Sequence, residues 1–109
     1  MAESYERLAA VMPTDDNECD LYALTSGSII GVIHICNKTG AAHTFRVAVT
    51  DAGTGVAASA EDFLEYDTAL PANVAFKLAI EGLKATSTIR IKADAGSVIS
   101  FVLMGLHIT

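Results

Sequence analysis

The sequence predicts an all-β protein, an antiparallel β-sandwich of about seven to eight strands. Three observations predict it. Apolar and polar residues alternate in short runs, the period at which a strand offers two different faces. Gly, Pro, Asn and Asp separate those runs as turn formers. β-branched residues crowd the runs themselves, as in "SIIGVIHIC" and "TIRIKA". The pattern fits a jelly-roll and an immunoglobulin-like strand order equally well.

The elements follow in chain order. "SYERLAAVM" reads as an N-terminal arm or first strand, anchored by Tyr5, Leu8 and Val11. It places residues 1–18 before a sandwich spanning 19–109, the whole forming one domain. Pro13 lacks a backbone donor, and Asp15, Asp16 and Asn17 favour a turn ahead of "CDLYAL". "HTFRVAVTDAGTG" sends Phe45, Val47 and Val49 inward and Arg46, Ala48 and Thr50 outward, and Gly53 and Gly55 close it. "EDFLEYD" is a short strand leading into the turn "LPAN". "NVAFKLAIEG" sets Val74, Phe76, Leu78 and Ile80 on one face, with Lys77 and Glu81 on the other. This run and "SAEDFLEYDTAL" also contain good helix formers, but regular alternation outweighs propensity. "TIRIKADAG" turns Ile89 and Ile91 inward and Arg90 and Lys92 outward.

The closing run, "SVISFVLMGLHIT", is apolar on both faces. Ile99, Phe101 and Leu103 lie on one, and Val98, Val102, Met104, Leu106 and Ile108 on the other. An antiparallel strand commonly wets one face. "SIIGVIHIC" repeats the doubled character, with Ile30, Val32 and His34 on its second face. Left exposed, such stripes invite aggregation. Fully burying four of the outer residues of the last strand contributes about 6 to 12 kcal/mol. These second faces are therefore expected to join copies of the chain, with the N-terminal segment lying across a neighbour. An internal cover, by that segment and the "LPAN" loop, is the alternative.

Composition narrows the function classes. Apolar residues make up 51% of the 109, yet no apolar run reaches the roughly 18 to 20 residues of a membrane helix. "MAESYERLAAVMP" carries Glu3, Glu6 and Arg7 where an export signal needs a basic start and an apolar stretch. A net charge of −6 with seven scattered basic residues argues against nucleic acid. Cys19 and Cys36 have no ligand spacing and are expected to stay reduced in a cytoplasm.

The order of the pieces is itself informative. "YERLAAVMP", "DLYAL", "ICNKTG", "AAHTFRVAV", "FLEYDTALPAN", "IRIKADAG" and "ISFVLMGLHIT" succeed one another. The chain thereby resembles a loose group of small virion proteins of tailed bacteriophages and prophages, in which N-x-x-G … T-F-R, Y-D … L-P-A-N and F-x-x-x-G-x-x-I-T recur in that order. The likeness spans nearly the whole chain, and its motifs are structural: Asn37, Gly40, Asp67, Pro71, Asn73 and Gly105 look like turn, corner or bulge residues. It implies a β-sandwich made in the host cytoplasm and built into the virion. The expected role is head decoration or cement, as a homo-oligomer on the major capsid protein. A trimer is favoured, because decoration proteins commonly occupy three-fold positions, and a hexamer is possible. Membership of the neck, tail or fibres is the alternative within the class.

Candidate chemistry is sparse. His34, His43 and His107 are far apart in sequence, without metal-ligand spacing. "TDDNECD" offers Asp15, Asp16, Glu18 and Asp20 but lacks the glycine and distal glutamate of a calcium loop. No G-x-S-x-G elbow or phosphate-binding loop is present. Asp62, Glu65 and Asp67 could pair as acid and base for glycoside cleavage, and Glu65 and Asp67 share a strand face, but such a spacing arises often by accident. No catalytic, cofactor or metal site is expected, and the reading is not an enzyme. The rival from another class is an adhesin that binds host glycans. There is no Trp, and Phe45, Phe76 and Phe101 alternate onto core faces, which leaves Tyr5, Tyr22 and Tyr66 to stack on a sugar.

Overall fold

The computed structural model describes residues 3–51 and 53–108. The first two residues of the expected arm and the last of the expected sandwich lie outside that range. Among the described residues there are eight strands: β1 (Glu3–Val11), β2 (Cys19–Ala23), β3 (Ser28–Asn37), β4 (His43–Thr50), β5 (Phe63–Leu70), β6 (Ala75–Lys84), β7 (Thr88–Ala93) and β8 (Ile99–Ile108). A single 3-10 turn, Ala60–Asp62, precedes β5. Both segments that also read as helix are strands, β5 and β6, in keeping with their alternation.

Two four-stranded sheets form, in the orders β1-β8-β3-β6 and β2-β7-β4-β5. The antiparallel pairs β1·β8, β2·β7, β3·β6 and β4·β5 nest like the two arms of one long hairpin. Rolling that hairpin up brings β3 beside β8 and β4 beside β7. This is the jelly-roll order, two Greek keys wound into a double sheet. It resolves the choice between the two strand orders that the alternating pattern left open.

The core lies between the sheets and follows from strand parity. Ile29, Ile33 and Ile35 of β3 and Ile99, Phe101 and Leu103 of β8 meet Phe45 and Val47 of β4 and Ile89 and Ile91 of β7, all buried. The Phe45 ring packs 5.7 Å from Phe76 and 6.4 Å from Phe101, the second pair edge to face. Leu8 and Val11 pack against this core from β1. The N-terminal segment pairs with β8 along the edge of its own sheet.

Gly31 and Gly105 face each other across β3 and β8. A Cβ on Gly105 would stand 2.8 Å from the Ile30 carbonyl oxygen, and one on Gly31 would collide with the Met104 carbonyl. Gly105 therefore sits mid-strand, where two backbones approach closely, and not at a turn.

Candidate assembly surfaces

The two sheets treat their outer faces differently. On the first sheet, the outward side chains of β8 and β3 run side by side, with Val102 beside His34, Met104 beside Val32 and Leu106 beside Ile30. β6 adds Lys77 beside His34 and Ala79 beside Val32, and β1 adds Tyr5 beside Leu106 and Arg7 beside Met104. Val32, His34, Val102, Met104, Leu106 and Ile108 are half-buried, while Ile30 is 49% and Tyr5 63% exposed. Tyr5, Ile30, Val32, Ala79 and Leu106 line a shallow groove of about 360 Å³. All seven residues expected at an interface thus share one sheet face, and no segment of the described chain crosses it. Register places Arg7 beside Met104 and Lys77 beside His34 near its middle, and Glu3 beside Ile108 and Lys84 beside Ser28 towards one end, so residues of both charge signs border this face.

The outer face of the second sheet is covered in part. Residues 53–62 return over Arg90 and are held there by Glu18 and by Asp20 of β2, while Tyr66 on the same face stays exposed. Arg90 of β7 donates from Nε to Glu18 Oε1 at 2.8 Å and from Nη1 to Asp20 Oδ1 at 2.5 Å. The same Glu18 Oε1 accepts the Ala58 N–H at 2.9 Å, and Asp20 Oδ2 accepts the Gly55 N–H at 3.0 Å. Arg90 was expected to face solvent. Its parity is outward, but the side chain is only 8% exposed because the acidic turn and the returning loop close over it. Burial alone would lower its pKa, and the bonds it donates to Asp20 and Glu18 outweigh that and raise it.

Beside this clamp, Arg46 of β4 grips Asp67 of β5, with Nε to Oδ1 at 2.6 Å and Nη2 to Oδ2 at 3.1 Å. The Arg46 guanidinium also lies 3.9 Å over the centre of the Tyr66 ring, and Phe63 meets that ring edge-on at 4.9 Å. The bond from Arg46 holds the Asp67 carboxyl below its usual pKa. Glu65 accepts a bond from Thr68 Oγ1 at 2.7 Å. The pair considered for glycoside cleavage is thus engaged in structural contacts.

The remaining expected residues fall in several places. Asn37 is fully buried at the end of β3 and ties two turns together. Its Nδ2 donates to the carbonyls of Ala41, Leu70 and Pro71, and its Oδ1 accepts from the Thr39 N–H and Oγ1. Asn73 adopts a left-handed φ of 57° in the β5–β6 turn, a conformation Asn tolerates well. Gly40 lies in the β3–β4 turn, where a Cβ would meet nothing within 4 Å. The histidines do not converge. His34 is on the open face, His43 Nδ1 is 2.8 Å from Asp94 Oδ1, and His107 Nε2 donates to the Ser26 carbonyl at 2.9 Å. Cys19 and Cys36 are free thiols in different sheets. Among the described residues, no group of three His, Cys, Asp or Glu side chains is placed to hold a metal ion.

The backbone is similar to a chain of the acidic stable capsid of Helicobacter pylori bacteriophage KHP30. That alignment has a TM-score of 0.55 and 15% identity, and covers 100% of this chain and 89% of that one. The shared property is the fold. Two crystal structures of a pentameric capsid protein isolated from metagenomic phage sequences align less closely. Their TM-scores are 0.45 and 0.44 at 17% and 15% identity, over 94% of this chain and 60% and 65% of theirs. No protein-family model and no curated protein matches the sequence.

The Arg90 clamp and the Arg46–Asp67–Tyr66 cluster escaped the sequence reading. Their signal was present as charge parity: outward-facing arginines on adjacent strands, in a chain whose carboxylates gather near residues 15–20 and 61–67.

Proposed function

We propose that the chain is a structural subunit of a tailed-phage particle, a head decoration or cement protein that works by packing against copies of itself and against the major capsid protein. The observation that carries this reading is the asymmetry of the two outer faces. One is covered over Arg90 by its own chain through Glu18 and Asp20, and the other leaves Ile30, Val32, Met104 and Leu106 with no segment bonded over them. Completing the burial of each of these side chains contributes about 1 kcal/mol. The occupant is a second copy. Arg7 and Lys77 flank its middle, with Glu3 only at one end, while the chain as a whole carries a net charge of −6, so the basic middle complements an acidic surface elsewhere on an identical neighbour. Such a contact joins two different patches and closes a ring, and three subunits are the favoured number. The jelly roll shared with the KHP30 capsid chain and the resemblance of the motif order to small virion proteins both support a place in the particle.

The test is co-sedimentation of the purified protein with heads and with tails isolated separately from a phage that encodes it. Saturable binding to heads is the expected result. Binding to tails alone would move the subunit to the neck, tail or fibres, and binding to neither would overturn the virion reading.

A further inference from the structure

On the outer side of the second sheet, away from the apolar face, Glu18, Arg46, Phe63 and Tyr66 border a pocket of about 510 Å³. That volume falls in the range of small-molecule sites. We propose that this pocket binds a neutral saccharide, with a sugar ring stacked on the face of Tyr66 opposite the Arg46 guanidinium. The pocket shares no lining residue with the apolar groove of the other sheet.

Tyr66 is 57% exposed, yet its ring is fixed from two directions by Arg46 and Phe63. Arg46 is itself locked by its two bonds to Asp67. The β4–β5 register shifts beside Val47, and Asp67 takes a φ of 50° there, which Asp tolerates well. This bulge sets Tyr66 and Asp67 together opposite Arg46, so the exposed ring and its two holders are fixed by the strand pairing. A rigid, exposed aromatic ring is also an efficient anchor for a ligand.

The chemistry of the walls selects the ligand class. An aromatic ring accepts the apolar C–H face of a pyranose, the Glu18 carboxylate accepts bonds from hydroxyls, and the Arg46 guanidinium donates to ring or hydroxyl oxygens. The charges nearby are Arg46 and Arg90 against Glu18, Asp20 and Asp67, on a protein of net charge −6. That balance disfavours an anionic sugar. A cation is disfavoured too, because the guanidinium already occupies a face of the Tyr66 ring. An uncharged polyol suits both conditions.

The experiment is saturation-transfer NMR on the purified protein with glucose, galactose, mannose, rhamnose and N-acetylglucosamine, and with sialic acid as the anionic comparison. Transfer to at least one neutral sugar is expected, with sialic acid weaker. Tyr66→Ala should weaken binding about tenfold or more, and Tyr5→Ala, at the exposed tyrosine of the other sheet, should leave it unchanged. Ala60→Phe, which fills the pocket from an exposed wall position, should give the same loss with an otherwise unchanged amide spectrum. Absence of transfer to every neutral sugar, undiminished binding by Tyr66→Ala, or preference for sialic acid would each overturn the proposal. So would a change in oligomeric mass on Tyr66→Ala without sugar binding, which would make the pocket a protein contact.

Discussion

Asn37 donates from its side-chain amide to the carbonyl of Leu70 at 3.0 Å, across 33 residues of chain. With its bonds to Pro71, Ala41 and Thr39, this one buried amide joins the β3–β4 turn to the β5–β6 turn. The backbones of the two turns are also bonded, Asn37 N–H to Val74 carbonyl at 3.0 Å and Asn73 N–H to Thr39 carbonyl at 3.2 Å. Asn37→Ala leaves those carbonyls without their donor and should cost about 2 to 3 kcal/mol. Asn37→Asp keeps the acceptor but sets a carboxylate against the Leu70 and Pro71 carbonyls, and should cost at least as much. Urea unfolding of the two variants measures both.

Glu18 is the hinge pin of the second sheet's cover, because one oxygen serves both Arg90 and the Ala58 N–H. Removing it leaves a largely buried guanidinium with Asp20 as its remaining side-chain partner. Glu18→Ala should destabilise the fold by about 2 to 4 kcal/mol. Hydrogen exchange should speed up first at Ala58 and Gly55, whose amides the acidic turn holds. Equal protection at those amides in the variant would show that the loop is held by other contacts.

Acid should loosen the Tyr66 site through Asp67. Its folded-state pKa lies below the ordinary carboxylate value because Arg46 bonds to the charged form. The stabilising contribution is therefore complete above the unfolded-state pKa and is lost as pH falls through the lowered folded value. An NMR titration should place the Asp67 midpoint below that of an ordinary aspartate, and Arg46→Gln should return it to the ordinary range. An ordinary midpoint in the wild type would contradict the bidentate contact.

Much of the fold was legible because strand parity is a local property. Phe45 and Val47, or Ile99, Phe101 and Leu103, declare their inward side by alternation alone, and so does the apolar outer face carrying Val102, Met104 and Leu106. What stayed hidden depends on pairs distant in sequence. Arg90 meets Glu18 across 72 residues, and nothing near Arg90 reports that a loop will close over it. The jelly-roll order rests on pairings such as β1 with β8, which alternation cannot specify. Gly105 was recognisable as special, but its reason, the close approach of Gly31, lies on another strand. Tyr66 could be named as a candidate ring, while its anchoring by Arg46 required the β4–β5 register.

The central claim is that the uncovered face of the first sheet joins copies of the chain, and absolute mass in solution tests it most directly. Light scattering across a gel-filtration peak should give a discrete multiple of 11.4 kDa that persists on dilution, with three copies favoured. Met104→Asp places a charge at the middle of that face and outside the core, so it should reduce the mass to that of one chain without loss of the fold. A wild-type protein that runs as a stable, soluble monomer of 11.4 kDa would contradict the account.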